Sequence, residues 1–487
     1  MAIQLGYLII DIGTGNVRVG LSNTFGELIG VERDNVNYLK DNLYPDALSF
    51  NPDELWSQIV VLIQRILKNH PNFSIQAITA TSQREGIVIM NSKGDSLIGL
   101  PNHDHRGREW ESEFSKEDKE KAYKIAGRYP SSLFSAMKII GIKNRRSDIY
   151  NQMASILSIS DWAQFKFTGV LGYEHSQASE TLLYDVRKKE WSDELCYLFN
   201  INKSILPPLR QSGSLVGSLS DNISTQLNIN PEAVVLVGGA DTQLAIKSTQ
   251  PALNNIVIVS GTTTPVVKLI KEYKIDEKFR TWTNRHVDDE TFILETNAGV
   301  TGLNYQRLKE IFYPNEDYSI IENELQSLTE NFQCVASLGS LISDEKQSLK
   351  QGGFIFEVPI SHQLSRVHFV WAALWDIACS IKENLDCLAK VDNYQEDYFW
   401  GCGGGFQSSV IRQVLASLTN KKIFIREGYN QASVSGGSMI CNEYFGINHH
   451  KNKKISITYP QNQAYYHSLY LQWKTMRSGL RELFNIC

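Results

Sequence analysis

Two stretches far apart in this 487-residue chain repeat one design. The apolar run Tyr7-Leu8-Ile9-Ile10 ends in Asp11-Ile12-Gly13-Thr14-Gly15-Asn16, after which Val17, Val19 and Leu21 recur with period two. A second apolar run, Ile256 to Val259, ends in Ser260-Gly261-Thr262-Thr263-Thr264 and returns through Pro265 to Leu269. Each reads as a β-hairpin whose turn is crowded with glycine and small hydroxyl or amide side chains. After each come further strands and then a helix: Glu27 to Val31 and Leu55 to Leu67 in the first case, Thr281 to Val287, Thr291 to Thr296 and Val300 to Phe312 in the second. A supersecondary unit repeated at this distance predicts two related domains facing each other, divided here into residues 1–245 and 246–487. The β-β-β-α-β order of the first unit predicts an α/β fold with mixed sheets covered by helices.

The turns carry chemistry as well as shape. Glycine lets backbone N–H groups approach an anion closely, so one such turn per domain would bracket the phosphates of a nucleotide. Asp11, at the mouth of its strand, is placed to hold a hydrated divalent cation. The plainer alternative is a Gly-rich turn beside a solvated Asp.

Composition excludes several classes of function. A net charge of −5, with no aromatic-interleaved Lys/Arg cluster, leaves no footprint for nucleic acid. No stretch approaches the length of a membrane span, and the apolar N-terminal run is interrupted by Asp11 and lacks a basic leader, so a cytoplasmic location is expected. The seven cysteines are scattered and form no C-x-x-C pair, which suits a reducing compartment. The sequence leaves a homodimer open.

Between the hairpins lie three candidate ligand segments. Asn51-Pro52-Asp53-Glu54 reads as a helix start, with Asn51 as cap and Glu54 closing a capping box. Beyond the strand Ile75 to Thr81 comes Ser82-Gln83-Arg84-Glu85-Gly86, whose guanidinium, carboxylate and amide suit a ligand with several hydroxyls. In Asn102-His103-Asp104-His105-Arg106, Asp104 and Arg106 can reach the same pocket; the two histidines have no further ligand at metal spacing. From Ser115 to about Asp221 the pattern reads as mostly helical, and Asp161 as the cap of a helix carrying Trp162. Then the strand Val234 to Val237 runs into Gly238-Gly239-Ala240-Asp241-Thr242-Gln243. An Asp after two glycines at a strand end can take the proton of an attacking hydroxyl, and it can also cap the helix that follows. Late in the chain, Tyr398-Phe399-Trp400 leads through Gly401-Cys402-Gly403-Gly404-Gly405 to a helix, a site for close backbone approach.

Taken in order, these motifs resemble the FGGY family of carbohydrate kinases, of the actin/hexokinase superfold, along the whole chain. The resemblance implies two actin/hexokinase-like (ribonuclease H-like) domains flanking a central cleft. It also implies an ATP- and Mg²⁺-dependent kinase of a small hydroxylated substrate. Gly13, Thr14, Gly15, Asn16 and Arg18 match the first phosphate loop, Gly261, Thr262 and Thr263 the second, and Gly403, Gly404, Gly405 and Gln407 the adenosine turn. Asp241 matches the catalytic base and, with Gln83, Arg84, Glu85 and Asp104, the substrate contacts, and Asp11 matches the metal position. Within the family, Ser82 to Val88, Arg146-Ser147-Asp148-Ile149-Tyr150, Ile159 to Trp162 and Asp241 to Leu244 are similar to the autoinducer-2 kinase branch. Thr242 replaces the usual glycerol-kinase Gln, and Gln83-Arg84-Glu85 differs from the xylulokinase pattern. Phe406-Gln407 and Gly436-Gly437 depart from the usual Ser-Lys and Ala-rich segments, and 312–354 matches no motif.

Overall fold

The computed structural model describes residues 3–328, 334–345, 349–447 and 453–484. Strands β1 (Gln4–Ile12), β2 (Asn16–Asn23) and β3 (Leu28–Asn35) form an antiparallel ladder, and helix α1 (Pro52–Asn69) follows. The Asn51 side chain caps α1 by accepting from the Asp53 and Glu54 amides. Glu54 does not close a capping box; its carboxylate accepts from Asn37 Nδ2 at 2.7 Å. Strand β4 (Phe73–Ser82) runs parallel to β1, β5 (Leu215–Ser218) forms an edge, and β6 (Val234–Ala240) runs parallel to β4. The six-stranded order is β5-β6-β4-β1-β2-β3. Helix α2 (Asp241–Thr249) leaves directly from β6.

The second hairpin builds the same frame. Strands β7 (Ile256–Val259), β8 (Pro265–Ile270), β9 (Trp282–Arg285) and β10 (Phe292–Asn297) precede helices α3 (Gly302–Phe312), α4 (Tyr318–Gln326) and α5 (Arg366–Val391). Strand β11 (Tyr398–Cys402), helix α6 (Ser409–Thr419), strand β12 (Lys422–Arg426), helix α7 (Ala432–Tyr444) and strand β13 (Ile455–Thr458) complete it. The order is β9-β10-β8-β7-β11-β12-β13. In both sheets three antiparallel strands are extended by two parallel ones, β3-β2-β1-β4-β6 matching β10-β8-β7-β11-β12. The repeat read from the two hairpins is therefore a repeat of topology.

Helices α2 and α7 pack against each other and α7 also lies on the first sheet. The glycines of α7 permit this approach. A Cβ on Gly436 would stand 2.1 Å from the Leu244 carbonyl oxygen, and one on Gly437 2.7 Å from Ile9 Cγ2. The departure at Gly436-Gly437 is thus a packing requirement.

The stretch 115–221 is less helical than its pattern predicts. It holds the short strands Ser155–Ser158, Tyr173–Glu174, Tyr184–Asp185, Glu190–Trp191, Leu209–Arg210 and Leu215–Ser218. Runs of two to four residues are too short to show a period of two. Ser158, rather than Asp161, caps the helix that buries Trp162. Part of this stretch crosses to the second sheet: Thr283 N donates to the Gly127 carbonyl at 2.9 Å and Tyr123 Oη to the Thr281 carbonyl at 2.8 Å.

Candidate active site

Asp241 is the first residue of α2, with Ala240 at the cap position, so it does not cap the helix. Its Oδ1 accepts from the Thr242 amide at 2.6 Å. Burial, then the nearby charge of Asp11, pushes its carboxyl up to about 7, against the favourable field of Arg84. A carboxylate poised near neutrality at a strand end is suited to accepting a proton.

Asp11 is fully buried, which overturns the solvated-turn alternative. Its Oδ2 accepts from Arg18 Nη2 and from Ser433 Oγ, both at 2.5 Å. Its Oδ1 is buried without a hydrogen-bond partner. An orphaned carboxylate oxygen is a hard donor of the kind a hydrated Mg²⁺ takes, so the residues fit that ion. Arg18 also donates to Gln431 Oε1 at 3.0 Å, tying the first hairpin to the start of α7.

The first turn closes on itself, Gly13 N donating to the Asn16 carbonyl at 2.9 Å, and the second does likewise, Gly261 N to Thr263 at 3.0 Å. Those two amides are thus spent within their turns. Gly15, Gly261 and Thr262 remain exposed at the tips, and Thr14 is braced by Tyr38 Oη and Asn102 Nδ2.

At the end of β4, Gly86 N donates to the Arg84 carbonyl at 2.7 Å and Glu85 sits at φ 62°. A three-residue turn with a non-glycine residue at positive φ is strained, and such strain gathers at functional sites. Arg84 reaches across to the second sheet: Nη1 and Nη2 donate to Glu295 at 2.6 and 2.8 Å, while Glu180 and Glu85 lie 3.7 and 3.9 Å away. Burial works against the charge of Glu295, yet Arg84 holds its carboxyl below the usual range. Gln83 braces neighbouring loops, its Nε2 donating to the Gly13 carbonyl at 3.3 Å and its Oε1 accepting from Asn102 N at 3.0 Å. Both oxygens of Asp104 are held, by Leu48 N at 2.9 Å and Arg106 Nε at 2.7 Å. Sequence reasoning missed Glu295, Glu180 and the buried Lys138, whose amine burial lowers to about 8.

The Gly-rich turn and the second hairpin meet. Gly403 has φ 94°, and a Cβ there would lie 2.3 Å from the Ser260 carbonyl oxygen; one on Gly405 would lie 2.1 Å from Ser260 Oγ. Beside them opens a cavity of about 520 Å³, a size that suits a nucleoside. Gly261, Thr262, Gly404, Gly405 and Gln407 line it, together with Tyr305, Tyr318 and Ile377. The last three came from helices with no motif to mark them. Phe406 points into the core.

Comparison with known proteins decides the family. The model of the FGGY family of carbohydrate kinases, N-terminal domain, matches residues 6–248, and that of the C-terminal domain matches 350–442. The chain belongs to the FGGY family of carbohydrate kinases. This kinase is 46% identical over 472 residues to a Bacillus subtilis protein named "Putative sugar kinase YoaC", covering 97% of the chain and 96% of the relative. It is 24% identical to the autoinducer-2 kinase of Salmonella paratyphi A, covering 85% and 82%. A solved structure of Plasmodium falciparum glycerol kinase with ADP superposes with a TM-score of 0.85 at 19% identity, over 99% of each chain. The fold is the two-domain actin/hexokinase-like one, and the activity is that of an ATP-dependent sugar phosphotransferase. Among the described residues, no helix is long and apolar enough to cross a membrane.

Proposed function

We propose that this FGGY kinase transfers the γ-phosphoryl group of ATP to a primary hydroxyl of a small sugar-like acceptor, with 4,5-dihydroxy-2,3-pentanedione (autoinducer-2) the acceptor to test first. The carrying observation is the placement of Asp241, directly after β6 with its Oδ1 held by the Thr242 amide, near Asp11, Arg84 and Glu85, where burial pushes its carboxyl up to about 7. Asp241 takes the hydroxyl proton as the oxygen attacks the γ-phosphorus. Arg84 and Glu85, with Gln83 and Asp104 supporting the loops around them, orient the acceptor. Residues 1–245 supply the acceptor side and 246–487 the nucleotide side. Gly13 to Asn16 and Gly261 to Thr263 cradle the phosphates, Arg18 adds positive charge, and Gly403, Gly404, Gly405 and Gln407 support the nucleoside. Asp11 would hold Mg²⁺ through water, and the ion would supply charge neutralisation on the phosphates. Phosphoryl transfer asks mainly for alignment and electrostatics, which two domains around one cleft provide.

The test is ATP consumption with Mg²⁺ against the dione, glycerol, erythritol, xylulose, ribulose and gluconate. Preference for the dione, phosphorylated on its primary hydroxyl, supports the reading. Preference for a polyol, ketose or sugar acid replaces the acceptor and keeps the Asp241 chemistry. No stimulation by any acceptor, with ATP still bound, overturns the catalytic reading in favour of a sugar-binding regulator.

A further inference from the structure

The segment 174–180, Glu174-His175-Ser176-Gln177-Ala178-Ser179-Glu180, carried no signal in the sequence, yet its side chains reach both parts of the proposed reaction centre. It is one short helical turn, His175–Ala178, between the end of a strand and the loop beyond. Glu174, Ser176, Gln177, Ser179 and Glu180 are all essentially buried. Ser176 Oγ accepts from the Ala240 amide at 3.0 Å, immediately before Asp241, and donates to Glu174 Oε2 at 2.5 Å. The polypeptide is drawn close here: a Cβ on Gly239 would stand 3.2 Å from Ser176 Oγ and 3.5 Å from Glu174 Cδ. Gln177 turns the other way. Its Nε2 donates to Ser82 Oγ at 3.0 Å, to the Ser82 carbonyl at 3.2 Å and to Ser160 Oγ at 3.2 Å, fixing the residue before Gln83-Arg84-Glu85. Ser179 Oγ accepts from Arg285 N on β9 at 3.2 Å, and Glu180 pairs with Arg128 and lies 3.7 Å from Arg84.

Neighbouring residues on a helical turn point about 100° apart, so a single turn can serve two strands. We infer that Ser176 is a positioning residue for the base Asp241, and that Gln177 is a positioning residue for the acceptor-binding Arg84–Glu85 loop. The inference rests on the roles proposed for Asp241, Arg84 and Glu85. Its content is a separation of kinetic parameters between two adjacent residues, which a general loss of packing would not produce. Misplacing the base lowers the chemical step, whereas misplacing the acceptor loop weakens binding.

The experiment measures kcat, acceptor KM and ADP affinity for Ser176→Ala, Ser176→Cys, Gln177→Leu and Gln177→Met, using the acceptor that wild type phosphorylates, with Asp241→Asn as reference. Ser176→Ala is expected to lose about 10- to 100-fold in kcat with acceptor KM within about threefold. Gln177→Leu is expected to raise acceptor KM about tenfold or more with a smaller change in kcat. ADP affinity stays at the wild-type value in all four, reporting an intact nucleotide side. Should either first variant be insoluble, Ser176→Cys and Gln177→Met carry the same expectations at reduced size. Equal kcat and KM changes in the two positions, or wild-type kinetics in both, overturn the inference. An Asp241→Asn enzyme with wild-type kcat would instead overturn the base assignment, and the two failures are therefore distinguishable.

Discussion

Replacing Glu295 by Gln tests whether the arginine at the acceptor site is held by a charge from the other sheet. Glu295 is fully buried and accepts from both terminal nitrogens of Arg84, at 2.6 and 2.8 Å, and from Asn284 Nδ2 at 3.0 Å. Gln keeps the shape but removes the charge, and turns an NH₂ toward one of the guanidinium donors. Removing one partner of a buried pair costs about 3–5 kcal/mol, because the other charge stays behind uncompensated. Glu85, at 3.9 Å, takes up part of that charge, and Glu180, at 3.7 Å, whose carboxyl burial pushes up to about 8, can ionise to take up more, so the expected loss lies at the low end, about 3 kcal/mol. For a cooperative unit of roughly 200 residues this lowers Tm by about 6–12 °C. Scanning calorimetry reads the loss, and acceptor KM rises as Arg84 swings away from its place. The Arg84→Met/Glu295→Met double variant removes both charges. It regains part of the Tm, because Glu85 and Glu180 also lose the Arg84 charge, and none of the acceptor affinity. A Glu295→Gln enzyme within about 1 °C of wild type and with unchanged KM would refute the reasoning.

The remaining predictions rest on other parts of the site. Because Asp241 must be ionised to accept a proton and its carboxyl is raised to about 7, kcat/KM should climb with pH through that region; a flat profile from about pH 5.5 to 8.5 would contradict it. Gly403→Ala forces a Cβ to 2.3 Å from the Ser260 carbonyl oxygen at positive φ, so ATP KM should rise about tenfold or more with acceptor KM little changed, as read by varying each substrate in turn. Burial raises Asp161 to about 7 and Glu174 to about 8. The native state therefore keeps protons that the unfolded chain releases near its ordinary values of 3.8 and 4.5, and stability falls as pH rises between those limits. Asp161→Asn removes one such group, and its Tm should fall less than that of wild type between about pH 5 and 7 in parallel melts.

What the sequence revealed was whatever is written locally. The two hairpins, the Asn51 cap and the Asp at the end of β6 are all properties of contiguous residues, and each stands where its pattern placed it. Long-range partners were invisible. Glu295 lies 211 residues from Arg84, and in the sequence it is one polar residue after the apolar run Phe292-Ile293-Leu294. Ser176 and Gln177 sit on a single helical turn with no hydrophobic period, so nothing marked them until β4 and β6 were seen on either side. Asp11 was legible as a candidate ligand but not as buried, since the Ser433 hydroxyl that covers its Oδ2 comes from α7, more than four hundred residues downstream. Tyr305 and Tyr318 line the cavity from helices whose pattern records only their packing faces.

The central claim, that Asp241 is the base of a phosphoryl transfer, is tested most directly by Asp241→Asn. Single-turnover and steady-state kcat are measured with the preferred acceptor, alongside ADP affinity. The account predicts a loss of roughly 10²–10⁴-fold in kcat with ADP binding unchanged. A variant that turns over at the wild-type rate would contradict it.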